Sequence, residues 1–186
     1  MKYVSKRIGY CLFKNNAISY SDIGLYEYAI LSILYEISPL VIFMIICIAI
    51  QRFLVGILII TPFISIRKYT GGYHASTYIL CFIFSLLTLL LLIFISKHSI
   101  PIIILKILVI ISFIILAVCG PVEHDNHPIS SKEYYIYKKK MILICSIWIF
   151  VCFFLNVFVN KEYFTACSSS IILSGISVIP CIKKKQ

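Results

Sequence analysis

The chain predicts an all-α integral membrane protein of about six transmembrane helices, with cytoplasmic N- and C-termini and an N-terminal amphipathic helix on the inner leaflet. Three observations carry this expectation. The 186 residues are 61% hydrophobic with a mean hydropathy of +1.03, whereas soluble domains are about 45–50% apolar. The excess is concentrated in long Ile-, Leu- and Phe-rich runs, most of them near the roughly 20 residues that cross the hydrocarbon as a helix. The cations fall unevenly between alternate loops, as they do in inserted membrane proteins.

Taken in order, residues 1–27 are polar, basic and aromatic, without the apolar core of a cleavable signal peptide. Val4, Ile8 and Leu12 recur every fourth residue beside Lys2, Lys6, Arg7 and Lys14. That spacing gives one apolar helix face suited to the inner leaflet, although a plain positive anchor would carry the same cations. The apolar spans are expected at about 30–50, 53–66, 78–96, 100–119, 141–159 and 163–181. The first holds Glu36 and Pro39 near its start, so its apolar core begins near Leu40. The second is short and contains Pro62, which fits a thinned bilayer or a re-entrant segment. Ser168-Ser169-Ser170 and Ser174-Gly175 give the last span the small residues that let membrane helices approach closely. The chain reads as a single domain over 1–186.

With the N-terminus inside, 13 of the 17 Lys and Arg residues fall in cytoplasmic segments. They include Arg67, Lys68, Lys138, Lys139, Lys140 and Lys183 to Lys185. Arg52, Lys97 and Lys161 fall in short outer turns, which implies three helical hairpins. Lys106 lies within a span, close enough to its outer end to snorkel. The formal charge of +10 therefore has a topological origin and does not point to nucleic acid. A basic inner face would also attract an acidic partner. The eight cysteines include no CxxC pair, and most sit in apolar runs, where cysteine packs as a small hydrophobe.

The candidate site is Arg67-Lys68-Tyr69-Thr70-Gly71-Gly72-Tyr73-His74-Ala75-Ser76-Thr77-Tyr78-Ile79-Leu80-Cys81. A thiol becomes a nucleophile at neutral pH when a base or nearby cations activate it. On one regular helix, His74 and Cys81 would share a face but stand about 10 Å apart along the axis. Direct proton transfer needs roughly 3 Å, so His74 must leave the helix and fold back. Gly71-Gly72 permits such a turn, and Ser76 or Thr77 is placed to cap the following helix. Glu36, Glu123, Asp125 and Asn126 are alternatives for a group that orients the base.

Arg67-x4-Gly72-x-His74-x6-Cys81, in a basic six-span chain of this size, resembles the AgrB (accessory gene regulator B) family. These are the membrane cysteine endopeptidases of Gram-positive peptide quorum sensing. Gly120-Pro121-Val122 through Pro128-Ile129 is similar to the family's loop after the fourth span, and Lys138-Lys139-Lys140 fits the basic run that follows. The resemblance implies His74 as base and Cys81 as nucleophile, with Arg67, Gly72 and the three lysines supporting the site or the substrate. It implies an AgrD-type propeptide with an acidic C-terminal tail, cut through an acyl-enzyme thioester and cyclised to a thiolactone or lactone. It leaves a homodimer open, and calls for lipid but for no cofactor and no nucleic acid.

Two other constellations compete. Cys119-x4-His124-x2-His127, with Glu123 and Asp125, matches no strong zinc spacing and follows a Gly-Pro turn, so it is read as a polar loop and no metal is expected. A small transporter or peptide exporter would carry ionisable residues near the midplane of its spans. Here Lys106 is the clear case, with Glu36 near an end. An assembly factor without activity would be indifferent to His74.

Overall fold

A computed structural model describes residues 1–71, 77–98, 100–122 and 130–182. It contains α1 (Lys2–Lys14), α2 (Ile23–Ala49), α3 (Phe53–Thr70), α4 (Tyr78–Lys97), α5 (Ile102–Cys119), α6 (Ser131–Phe158) and α7 (Lys161–Ile182), with a 3-10 turn at Tyr20–Asp22. Six of these helices, α2 to α7, are long and apolar enough to span a membrane. Among the described residues there is no strand.

Local chemistry sets the helix ends. Asn16 takes a left-handed φ of 55° after α1, a conformation asparagine tolerates better than most residues. Thr77 caps α4, its side chain accepting from the Leu80 amide at 3.4 Å. Ser130 and Glu133 form a reciprocal capping box at the start of α6, with the Ser130 amide donating to Glu133 Oε2 at 3.0 Å and the Glu133 amide donating to Ser130 Oγ at 3.3 Å. Each such bond satisfies a backbone donor that a helix start leaves open.

Three expected boundaries move. The first span begins at Ile23, seven residues before 30 and inside the segment expected to lie on the leaflet, so the amphipathic helix is confined to Lys2–Lys14. The second span is a full 18-residue helix that continues through Arg67 and Lys68, longer than the apolar run alone. Pro62 is accommodated inside it, as prolines are in membrane helices. Ser65 Oγ donates to the carbonyls of Thr61 and Pro62 at 2.7 and 3.1 Å. The fifth span starts ten residues before 141, so Lys138, Lys139 and Lys140 are helical.

The hairpin expectation is corrected in part. α2 packs on α3 and α6 on α7, but α4 and α5 make little contact with each other and both lie against α7. Helix α7 is the hub, in contact with α3, α4, α5 and α6 and buried without a break from Phe164 to Ile171. Its small residues make this geometry possible. Ser170 Oγ donates to the Ile59 carbonyl of α3 at 2.5 Å. A Cβ on Gly175 would stand 2.8 Å from Ser112 Cβ of α5. On the outside, large apolar side chains such as Phe84, Leu87, Ile103, Ile107 and Phe150 are exposed, as lipid contact requires.

α1 packs on the start of α2 through a small-residue face. Ser5 and Gly9 are buried, and a Cβ on Gly9 would meet Glu27 Cγ at 3.0 Å. The Val4–Ile8 face stays 46% and 40% exposed, free to contact lipid.

The ends of α1, α3, α5 and α7 meet the starts of α2, α4 and α6 at one end of the bundle. There the Val122 amide donates to the Thr70 carbonyl at 2.8 Å. At the opposite end Arg52 pairs with Glu162 at 2.6 Å, tying the α2–α3 turn to the start of α7.

Candidate active site

Cys81 lies in the second turn of α4, half-buried, its amide donating to the Thr77 carbonyl at 3.0 Å. Its side chain lines a cavity of about 450 Å³ between α2, α3 and α4. Tyr35 and Glu36 of α2, and Arg67, Lys68 and Gly71 at the end of α3, share that cavity. The half-buried Arg67 guanidinium is within electrostatic range of Cys81, Glu36 and Cys181, and lies 5.4 Å from the Phe63 ring centre. A nucleophile candidate, two cations and a carboxylate thus come from three helices to one space.

Further along the helices from that end of the bundle the wall is apolar. Pro39 and Leu40 follow Tyr35 and Glu36 by one turn, Phe63 and Ile64 precede Arg67 and Lys68 by one turn, and Ser85 and Leu89 lie below Cys81.

Two aromatic contacts hold α2 to α4 beside the mouth. Tyr35 stacks on Tyr78 at 4.9 Å with planes 10° apart, and Tyr28 meets Tyr78 edge-on at 6.4 Å. Tyr78 is the first residue of α4, so the stack fixes the height of Cys81 relative to Glu36.

Gly71 ends α3 with φ 69° and ψ −152°, a region essentially closed to other residues. A Cβ there would also lie 2.9 Å from the Val122 carbonyl oxygen. Of the Gly71-Gly72 pair, Gly71 is the described residue, and its conformation demands glycine.

Several sequence expectations fall outside the described residues: His74, Gly72, and the alternatives Glu123, Asp125 and Asn126. The same holds for His124, His127 and Lys183 to Lys185. Of the four groups considered for orienting a base, Glu36 is the described one, and it reaches the Cys81 cavity. Lys138, Lys139 and Lys140 do not line that cavity. Lys138 Nζ sits 5.8 Å from the Tyr134 ring and Lys140 Nζ 5.8 Å from the Tyr69 ring. Tyr69 also packs on Tyr137 at 6.1 Å, which links this basic face of α6 to the end of α3.

No group of three metal-ligating side chains occurs among the described residues. All eight cysteines are free thiols.

Sequence reasoning passed over Tyr35, Tyr78 and the cavity floor. A signal was present in the four-residue spacing of Cys81, Ser85 and Leu89, which places them on one side of α4.

The family model of accessory gene regulator B (AgrB) matches residues 5–179, a stretch that includes all of α2 to α6 and most of α1 and α7. The chain belongs to the AgrB family. No curated protein and no solved structure matches it significantly. AgrB proteins are known as membrane cysteine peptidases that act on a propeptide, and the six apolar helices of this member agree with that multi-pass membrane setting.

Proposed function

We propose that this AgrB-family member is a cysteine endopeptidase that removes the C-terminal tail of an AgrD-type propeptide and drives its cyclisation to a thiolactone or lactone signal. The observation that carries the reading is the position of Cys81, facing a cavity that also receives Arg67, Lys68 and Glu36. The basic end of the bundle is taken as cytoplasmic, in line with the bias of cations to inner loops. A newly made peptide would then reach the site from the inner leaflet, its acidic tail drawn to Arg67, Lys68 and the lysines of α6.

His74, at the mouth of α4 by its place in the sequence, takes the proton from the Cys81 thiol. The thiolate attacks the carbonyl carbon preceding the tail, and Arg67 offsets the negative charge that gathers in the site. As the C–N bond breaks, the imidazolium returns its proton to the leaving nitrogen. The tail departs as a free amine and the remainder stays on Cys81 as a thioester. An internal thiol or hydroxyl of the bound peptide then gives its proton to His74 and attacks the thioester carbonyl. The C–S bond to Cys81 breaks, the ring closes and the thiol regains its proton. The activated acyl group makes ATP unnecessary.

The test is intact mass spectrometry of the protein in lipid with its cognate propeptide. An adduct of the tail-less peptide on Cys81, absent from Cys81→Ala and His74→Ala, is the expected result. Uncleaved propeptide and no adduct, from folded protein, would overturn the reading in favour of transport without covalent chemistry.

A further inference from the structure

The cavity at Cys81 changes character along the bundle axis, and all three walls change together. On α2, Tyr35 and Glu36 stand towards the end of the bundle where α3 ends and α4 starts, with the exposed Ile37 beside them, and Pro39 and Leu40 lie one turn further in. On α3, Arg67 and Lys68 stand at that rim and Phe63 and the exposed Ile64 one turn further in. On α4, Cys81 is followed by Ser85 and then Leu89. A four-residue step is about 6 Å along a helix axis, so the charged rim is one turn thick. Everything below it is aliphatic or aromatic apart from Ser85. The volume of about 450 Å³ lies towards the small end of ligand sites, which run from roughly 300 to 1,000 Å³.

We infer that this floor is the acyl-side specificity pocket: it takes the side chain of the residue whose carbonyl Cys81 attacks, that side chain is apolar, and Ser85 and Leu40 set its permitted size. The inference rests on the peptidase reading above and adds the substrate class at that position. The sulfur stands at the rim, so a carbonyl held against it leaves the adjoining side chain two directions. One is up, among Arg67, Lys68 and Glu36. The other is down, where a charged or amide group would lose water without a partner, since the floor offers Ser85 as its one polar side chain. Burial of an unpartnered polar group is costly and burial of an apolar one is favourable. Ser85 is the smallest side chain on the floor, directly beneath the nucleophile, and so leaves the space for the guest.

The experiment uses the full-length protein in lipid and a propeptide series that changes only the residue before the scissile bond. Leu and Phe should give the Cys81 thioester about 10-fold or more faster than Asp or Lys, the scale of discrimination an apolar pocket achieves. Ser85→Phe, which fills the floor, should invert the order of Phe and Ala, and Leu40→Phe, approaching from α2, should act in the same sense if the first variant folds poorly. A second measurement needs no peptidase activity: labelling of Cys81 by hexyl and by methyl methanethiosulfonate, located by peptide mapping. Ser85→Phe should slow the hexyl reagent several-fold and the methyl reagent little, a ratio from which lipid partitioning cancels. Thioester formation without side-chain preference, or an order unchanged in both variants, overturns the pocket and leaves the peptidase standing. Absence of thioester from every propeptide, with the labelling ratio as expected, overturns the peptidase reading and the pocket's substrate role with it.

Discussion

The Val122 amide donates a 2.8 Å hydrogen bond to the Thr70 carbonyl, joining the segment after α5 to the last residue of α3. The contact is close because the next residue is glycine. At Gly71 the chain turns with φ 69° directly under the Val122 carbonyl, where a Cβ would be 2.9 Å from the oxygen. Among the described residues, the end of α3 and the segment after α5 are therefore joined by a backbone hydrogen bond.

Gly71→Ala should lower stability by about 1–3 kcal/mol, the usual cost of holding a side chain in such a conformation, and should slow thioester formation further by redirecting the chain three residues before His74. Gly24→Ala is the control. It lies in the first turn of α2 with nothing within 4 Å of the added carbon, so it should be neutral or slightly stabilising. Thermal unfolding in detergent together with adduct yield measures both. Equal behaviour of the two variants would remove the Gly71 argument.

Gly175 of α7 lies tight against Ser112 of α5. Gly175→Ala should destabilise by about 1–3 kcal/mol through overpacking, since the new carbon would lie 2.8 Å from Ser112 Cβ and 3.0 Å from Ser112 Cα. Ser112→Gly removes the nearer atom and should recover part of the loss. A double-mutant cycle on unfolding midpoints gives the coupling, and simple additivity would show that the two helices do not meet there.

How much of this was legible in the sequence follows from what each feature depends on. The spans were readable because the bilayer imposes an unbroken apolar run. Their ends were less so. Arg67 and Lys68 break the apolar run, yet the backbone stays helical to Thr70. For the same reason Lys138 to Lys140 hid the first ten residues of α6. The place of Cys81 early in α4 was readable from local spacing, and the cap of that helix was narrowed to Ser76 or Thr77, of which Thr77 takes the role. The Tyr35–Tyr78 stack and the floor made by Leu40, Phe63 and Ser85 were not, because they depend on how α2, α3 and α4 face one another. Spans this rich in isoleucine have no polar face to announce that. The hub role of α7 was foreshadowed by Ser168 to Ser170 and Ser174-Gly175, although not the separation of α4 from α5 that it causes.

The chain has a single tryptophan, and Trp148 Nε1 donates to Ser65 Oγ at 2.7 Å across α6 and α3. Ser65→Ala removes that acceptor and should cost about 1 kcal/mol. Because no second indole contributes, the emission of Trp148 should shift to the blue as its polar partner is lost. Emission unchanged from the parent protein would mean that the two helices do not meet at this pair.

The Arg52–Glu162 pair closes the opposite end at 2.6 Å, with side chains 25% and 30% exposed. It is the short link between the α2–α3 turn and the start of the hub helix. Water still reaches both groups, so the pair is worth on the order of 1 kcal/mol rather than the larger value of a fully buried bridge. Reversing one member, Arg52→Glu or Glu162→Arg, places like charges face to face and should lower the unfolding midpoint measurably. Reversing both should restore most of it. Cys81 is at the other end of the bundle, so thioester formation by the double variant should match the parent at temperatures below the midpoint. A double variant as unstable as either single one would show that the residues act through separate contacts and not through each other.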